Sequence, residues 1–256
     1  MYHKIAHFLL LFFVGVILGA CTTAKDIYYF QDAETYGNKM INYENSNIQP
    51  NDILNIKIGA SIAESALPYN KRTGENNNLT SLELLKINGY LVSLEGTIKL
   101  PILGVIKVTN KTTSELELNL VKALKEGEHL IKPFVSIRLV NAKVTILGEV
   151  NSPGTYTFTE QFISIPQALG YAGDLTINGK RTNLLLIREV AGSRTMTYID
   201  LTTTNWMNDA SYRVKPNDVI VVNPNTAGVK SSGFLNSGNL ISIIGFLLTA
   251  SIYLTR

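Results

Sequence analysis

Cysteine and histidine are scarce in this sequence of 256 residues, which holds one cysteine and three histidines. A single cysteine excludes an internal disulfide. His3 and His7 lie at the amino terminus, so only His129 remains for the body of the chain. Zinc sites built from several cysteines and histidines are therefore excluded. We expect neither a metal nor a cofactor.

The numbers of positively and negatively charged residues are also modest and nearly equal. Lysine and arginine number 23 and aspartate and glutamate 20, which gives a net charge of +3. A nucleic-acid-binding protein usually carries a strong basic patch, and this balance gives no reason to expect one. We expect no nucleic acid partner, although an acidic ligand stays compatible with the composition.

The amino terminus has the form of a secretory signal peptide, residues 1–20. A basic start precedes the apolar run Phe8 to Leu18, which is shorter than the roughly 20 residues that a membrane span needs. The run ends in Leu18-Gly19-Ala20-Cys21, which resembles the lipobox of bacterial lipoproteins. That resemblance implies lipidation of Cys21, and two or more acyl chains anchor a protein stably. The alternative is an ordinary secretion signal with an incidental cysteine.

The carboxy terminus carries a second apolar segment, at about residues 234–254, within a stretch that lacks charged residues. A helix of this length measures roughly 30 Å, near the thickness of a bilayer core. Gly238, Ser242, Gly245 and Thr249 fall on one stripe of that helix. Small residues in a stripe let membrane helices approach closely. The helix is therefore either a simple anchor, or one that packs beside copies of itself or lines an aqueous lumen.

Short strands and two capped helices are predicted between these ends, which indicates an α+β fold. Thr112 to Glu115 and Ser164 to Gln167 each match a capping box. The alternation on both sides of Glu95-Gly96 predicts a hairpin that joins residues 90–94 and 97–100. Residues 59–88 are rich in Asn, Ser and Gly, and predict a loop insertion with a short helix around Ser81 to Leu85.

One short sequence motif occurs twice in the chain. Pro50-Asn51-Asp52 and Pro216-Asn217-Asp218 each precede an apolar strand. In such a turn the aspartate side chain can bond its own backbone before the strand begins. The recurrence predicts the same turn in each of two α+β domains.

Several motifs together resemble the outer-membrane polysaccharide export lipoproteins, of which the Wza-type capsule exporters are members. The phrase that begins at Pro50 resembles the start of their polysaccharide export domain. The stretch Glu95 to Gly104 resembles its most recognisable part, and Leu147 to Tyr156 resembles the opening of the β-grasp (SLBB) domain that follows. The segments at Ala168 to Asp174 and Asn217 to Ile220 continue the resemblance.

This resemblance implies a division of the chain into segments. We expect a lipidated tether at 21–47, a polysaccharide export domain at 48–142 with the insertion at 59–88, and one SLBB-like β-grasp domain at 143–225. A linker and a carboxy-terminal transmembrane helix follow at 226–256. Residues 21–47 are polar and mixed, which is typical of a tether that lifts a folded body off the membrane.

The resemblance also implies a function. Such proteins form a homo-oligomeric ring that exports capsular or extracellular polysaccharide through the outer membrane. They are lipid-anchored, their domains are periplasmic, and their partner is an inner-membrane polysaccharide copolymerase or tyrosine kinase. One β-grasp domain, where longer members have several, implies a shorter vestibule.

Candidate sites in the body of the chain are few. Arg181, Arg188 and Arg194 are the candidate polysaccharide contacts, because a guanidinium pairs with the carboxylates or phosphates of sugars. Glu149 and Asp174 are acids of the kind that glycosidases pair, but both lie in turns, so no catalytic residue is expected. The rival functions are a monomeric envelope lipoprotein that binds glycan without moving it, and a carbohydrate-active enzyme.

Overall fold

The computed structural model describes residues 27–40, 45–71, 81–190 and 192–225, together with Ser242, Gly245, Phe246 and Thr249. The signal segment, Cys21 and Gly238 lie outside the described residues.

The first domain joins a small sheet to helices. Among the described residues from 45 to 139, the elements are β1 (Ile53–Gly59), α1 (Ala63–Ala66), α2 (Ser81–Asn88), β2 (Tyr90–Leu91), β3 (Thr97–Leu100), β4 (Gly104–Lys107), α3 (Thr113–Glu126) and β5 (Phe134–Leu139). β2, β1 and β5 form an antiparallel sheet in that order, and β3 pairs with β4.

Helix α3 supplies much of the core of this domain. Its residues Leu116, Leu120 and Leu124 lie on one face and are buried, together with alternate side chains of β1. The predicted capping box is confirmed. The Thr112 hydroxyl accepts from the backbone N–H of Glu115 at 3.2 Å, and the Glu115 carboxylate accepts from the backbone N–H of Thr112 at 2.8 Å.

The predicted hairpin around Glu95-Gly96 is wrong in its pairing. A tight turn does occur there, with Gly96 at φ 78° and its N–H bonded to the Ser93 carbonyl at 2.9 Å. However, β2 pairs with β1, and β3 pairs with β4. Tyr90 is buried in the core beside β1, and that burial decides which strand it joins. Helix α2 also extends to Asn88, beyond the predicted end.

The second domain is built on a five-stranded mixed sheet. Among the described residues from 143 to 222, the elements are β6 (Lys143–Gly148), β7 (Gly154–Thr157), β8 (Ile163–Ser164), α4 (Ile165–Tyr171), β9 (Leu184–Val190), β10 (Ser193–Ile199), β11 (Arg213–Val214) and β12 (Val219–Val222). The sheet order is β10-β9-β12-β6-β7, and β11 pairs with β8.

The first and last strands of this sheet, β6 and β12, lie side by side and parallel at its centre. Each is flanked by an antiparallel neighbour, β7 and β9. Helix α4 buries Ile165, Ala168 and Leu169 in the core of the domain, and its predicted capping box at Ser164 is confirmed. A helix on a mixed sheet with parallel central strands is the β-grasp arrangement, so the α+β prediction is confirmed.

The repeated turn has the same geometry in both domains. The asparagine is left-handed each time, with φ 70° for Asn51 and 68° for Asn217. Each aspartate then accepts a hydrogen bond from the backbone N–H three residues earlier, at 2.9 Å for Asp52 and 2.7 Å for Asp218. Proline followed by a left-handed asparagine is typical of a type II turn. The predicted turn is confirmed.

The two buried aspartates differ in their partners. Asp218 receives hydrogen bonds from Arg188, at 3.0 Å from Nε and 2.7 Å from Nη2. Among the described residues, none forms a salt bridge with Asp52, although Asp52 is 3% exposed. Burial therefore raises the pKa of Asp52 to about 6. Burial also raises the pKa of Asp218, and the Arg188 guanidinium opposes that rise.

The chain ahead of the first domain packs on the second domain. The backbone N–H groups of Phe30 and Gln31 donate to the carbonyls of Leu201 and Thr202, at 3.2 and 2.7 Å. The Phe30 ring stacks on Trp206 with 6.1 Å between centroids. We call residues 27–36 the docked segment.

Polar side chains hold the same segment. The Tyr29 hydroxyl donates to Asp174 at 2.6 Å, and the Tyr36 hydroxyl donates to Asn208 at 2.8 Å. Residues 21–47 were expected to form a tether, and the structure differs over the docked segment. The reason is the aromatic side chains, whose burial against the second domain is favourable.

The carboxy-terminal segment is described at four positions only. Ser242, Gly245, Phe246 and Thr249 are helical, and the Thr249 hydroxyl donates to the Gly245 carbonyl at 2.5 Å. Among the described residues, a Cβ atom added at Gly245 would meet nothing within 4 Å. Within the part of the chain that the structure describes, no helix has the length and apolar character needed to cross a membrane.

The two aspartates predict opposite effects of the same substitution. Asp52→Asn keeps an acceptor for the turn and removes a buried charge, so we expect equal or greater stability at pH 7.5. Asp218→Asn leaves the Arg188 guanidinium without its carboxylate, and we expect a loss of about 3 kcal/mol. Denaturant unfolding of the full-length protein, followed by circular dichroism, measures both. A large loss for Asp52→Asn would contradict this account.

The Asp52 pKa also predicts a pH dependence. The folded-state pKa of about 6 lies above the ordinary pKa of an aspartate, so the folded state holds the proton more tightly. The free energy of unfolding should therefore fall as the pH rises from about 4 through 6, by about 3 kcal/mol. Asp52→Asn should remove this contribution. An identical fall in the variant over that range would show that other groups cause it.

Packing of the docked segment predicts an effect on the single tryptophan. Phe30→Ala should expose Trp206, increase its quenching by acrylamide and lower the stability of the second domain by about 2 kcal/mol. Tyr28→Ala is the matched control, because Tyr28 is 64% exposed. Equal quenching in the wild type and Phe30→Ala would mean that the segment does not cover Trp206.

Candidate functional site

The three candidate arginines lie in different environments. Arg181 is 6% exposed, and its Nη1 donates to the carbonyls of Gly179 and Thr176 at 3.1 and 3.4 Å. The Tyr29 ring of the docked segment lies 5.2 Å from its guanidinium carbon. This arginine shapes the loop before β9 and is covered, so it does not face a ligand at the surface.

Arg188 is also occupied within the second domain. Its guanidinium pairs with Asp218 and donates to the carbonyls of Ala210 and Arg213, at 3.1 and 2.5 Å. The Arg188 side chain is 11% exposed and that of Asp218 is 1% exposed. The pair therefore joins strand β9 to the turn before β12, which is a structural role.

Arg194 alone of the three presents its guanidinium to solvent. It lies at the tip of the β9–β10 hairpin, its side chain is 64% exposed, and it pairs with Glu189, which is 58% exposed. An exposed pair of this kind contributes little to stability, about 1 kcal/mol or less. Arg194 is therefore available to exchange its partner for a ligand.

The tip that carries Arg194 faces the first domain across a cleft of about 640 Å³. Its walls are the segment 47–51, the turns at 94–96 and 109–110, and the hairpin tip at 189–190 and 192–194. Amide, hydroxyl and charged side chains predominate in these walls; they are Asn47, Gln49, Asn51, Glu95, Thr109, Asn110, Glu189, Ser193 and Arg194. We call this cleft the interdomain groove.

The interdomain groove continues toward the docked segment. A smaller cavity of about 330 Å³ shares Asn47 and Gln49 with it, and shares Ser46 and Lys215 with a third cavity of about 340 Å³. The third cavity lies where the end of the docked segment and the residues that follow it meet the second domain. It is lined by three aromatic and three cationic side chains, Tyr36, Phe162, Tyr212, Lys39, Arg213 and Lys215. We call it the cationic pocket.

This arrangement suits binding and not bond cleavage. Amides and hydroxyls exchange hydrogen bonds with hydroxyl-rich ligands at little cost. Glu149 accepts from the Thr176 hydroxyl at 2.7 Å, and Asp174 accepts from Tyr29 and from the Leu175 N–H, so both acids serve local hydrogen bonds. Among the described residues, no group of three or more His, Cys, Asp or Glu side chains is placed to hold a metal ion.

Sequence reasoning missed the residues of the cationic pocket. Phe162 directly precedes strand β8, and Arg213 lies on the neighbouring strand β11, 51 positions later in the chain. Lys39 follows the docked segment, which was expected to be a tether. The aromatic run Tyr28-Tyr29-Phe30 is unusual for a solvated linker and was the available signal for docking, which sequence reasoning did not use.

Comparison with known protein families gives a match for each of the two domains. The family model described as polysaccharide biosynthesis/export protein matches residues 42–140, and the model described as SLBB domain matches residues 143–200. Together the two matches cover the first domain and most of the second, in the order expected from the sequence.

Two relatives carry the same printed name, EPS I polysaccharide export outer membrane protein EpsA. The one from Ralstonia solanacearum is 25% identical over 143 residues, which cover 54% of this chain and 37% of that protein. The one from Ralstonia nicotianae is 31% identical over 107 residues, which cover 40% of this chain and 27% of that protein. The chain therefore spans about a third of the length of these relatives.

These matches bear on two further expectations. The printed names agree with the outer-membrane location predicted from the sequence. The family is one of export proteins and not of enzymes, which sets aside the carbohydrate-active enzyme. By its two family matches and these relatives, the chain belongs to the polysaccharide export family.

Proposed function

We propose that this protein is an outer-membrane lipoprotein whose copies assemble a conduit for capsular or extracellular polysaccharide. The observation that carries the proposal is the pair of family matches in series, between a lipobox-like cysteine and an apolar carboxy-terminal segment. The protein performs no chemistry, and its task is to hold a polar passage open.

The physical reason for a conduit is the solvent barrier of the membrane. A hydrated polymer cannot cross hydrocarbon, because each polar group that leaves water without a partner costs several kcal/mol. One helix cannot enclose water, so several copies must contribute. Helices with a stripe of small residues can approach closely enough to close a wall.

The interdomain groove supports a role in contacting the polymer. Its amides and hydroxyls bind sugar hydroxyls, and its open form lets a chain slide along it. We place the groove on the inner face of the ring, with Arg194 as a contact at one end. The implied partner is an inner-membrane polysaccharide copolymerase or tyrosine kinase that delivers the polymer.

The two termini define how each copy meets the membrane. Lipids on Cys21 and the segment at 234–254 anchor the chain from both ends, and the domains stay in the periplasm. Because only five residues lie between Cys21 and Ile27, the start of the docked segment lies within about 20 Å of the lipid.

Lipidation of Cys21 predicts a chemical readout. Cells that are given labelled palmitate should incorporate it into the wild type and into Thr22→Ala, but not into Cys21→Ala. The Cys21→Ala protein should also be washed more easily from membranes. A wild-type protein without label would contradict the lipoprotein part of the proposal.

The stripe of small residues predicts an effect on assembly. Gly245→Leu places a bulky side chain where helices meet, so particles extracted in mild detergent should lose mass, as measured by size exclusion with light scattering. Phe246→Leu is the matched control, because Phe246 lies outside the stripe. Unchanged mass for Gly245→Leu would favour a simple anchor, and a single-subunit wild type would favour the monomeric glycan-binding lipoprotein.

A further inference from the structure

The cationic pocket has an excess of positive charge. Lys39, Arg213 and Lys215 line it, and Asp209 is the only carboxylate among its described lining residues. Charges of one sign on the walls of a cleft concentrate the field there and attract ligands of the opposite sign. The interdomain groove has no such excess of positive charge among its described lining residues, because the carboxylates of Glu95 and Glu189 accompany Arg194 there.

Two of these cations lie over aromatic rings. The guanidinium carbon of Arg213 lies 4.7 Å from the centre of the Phe162 ring, and Lys39 Nζ lies 5.2 Å from that of Tyr36. Cation–π attraction favours these positions at the pocket wall. The Tyr36 ring is itself oriented by its hydrogen bond to Asn208.

A pocket that contains both aromatic rings and cationic side chains is suited to bind a sugar that carries a carboxylate. The C–H face of a hexose is apolar and packs on an aromatic face, and a carboxylate is attracted by the positive charges of lysine and arginine side chains. At about 340 Å³, the pocket has the size of a small-ligand site.

We propose that the cationic pocket binds carboxylate-bearing sugar units, so that the exported polymer is an acidic polysaccharide. This inference rests on the proposed export function and names its substrate class. The pocket is open and its cations are partly solvated, so each contact is weak. Weak contacts suit transport, because a polymer that binds tightly cannot move on.

The test compares two trisaccharides on the full-length protein in detergent, by calorimetry at low salt. Trigalacturonate and galactotriose differ by their carboxylates. Trigalacturonate should bind at least tenfold more tightly, and 0.5 M NaCl should reduce that preference to threefold or less. Sodium sulfate at matched ionic strength tests whether any anion competes.

Single and double variants test whether trigalacturonate binds in the cationic pocket. Lys39→Gln and Arg213→Gln should each weaken trigalacturonate binding by about fivefold, and the double variant should remove the preference. Lys99→Gln is the matched control, because it removes an exposed charge from the first domain. Thermal unfolding checks that each variant is folded, and the salt dependence of the wild type tests the proposal without any variant.

Equal or absent binding of both sugars would overturn the inference. Full competition by sulfate would overturn it too, since the site would then be a general anion site. A preference that persists in the double variant would likewise exclude the cationic pocket. These failures leave the export function standing, because assembly and lipidation are measured separately.

Discussion

Packing of the docked segment on the second domain is the interaction on which the rest of this structure depends. The Phe30 ring covers Trp206, and the Tyr29 hydroxyl bonds to Asp174. These contacts hold the docked segment against the second domain. They also contribute to the cationic pocket, because Tyr36 belongs to the docked segment and Lys39 follows it.

The same packing gives the proposed lipid anchor a mechanical consequence. A free tether of 27 residues would let the domains rotate and drift relative to the membrane. A docked one leaves a short link, so the second domain has a limited range of distances and orientations. Subunits held in one orientation can close a ring with less loss of entropy than freely tumbling ones.

Local signals predicted much of the fold, because local chemistry determines those features. The capping boxes at Thr112 and Ser164 and the turns at Asn51 and Asn217 involve residues within four positions of one another. The partner of β3 was predicted wrongly, because pairing depends on which side chains are buried after collapse. Sequence patterns contain no such information for two short neighbouring strands.

The candidate site was predicted less well, for a related reason. Arg181, Arg188 and Arg194 are equivalent in sequence, but only Arg194 is exposed to solvent. Arg188 forms a salt bridge with Asp218, which lies 30 positions away in the sequence. Arg181 is covered by the Tyr29 ring, which comes from a different part of the chain. Long-range contacts decide whether a guanidinium is structural or free for a ligand.

Single-particle electron microscopy of the wild-type protein, extracted with its lipids in mild detergent, tests the central claim most directly. We expect a closed ring of identical subunits around a water-filled centre, with the second domains against the detergent belt and the interdomain groove facing inward. A particle of one subunit, or a ring whose groove faces outward, would contradict the account.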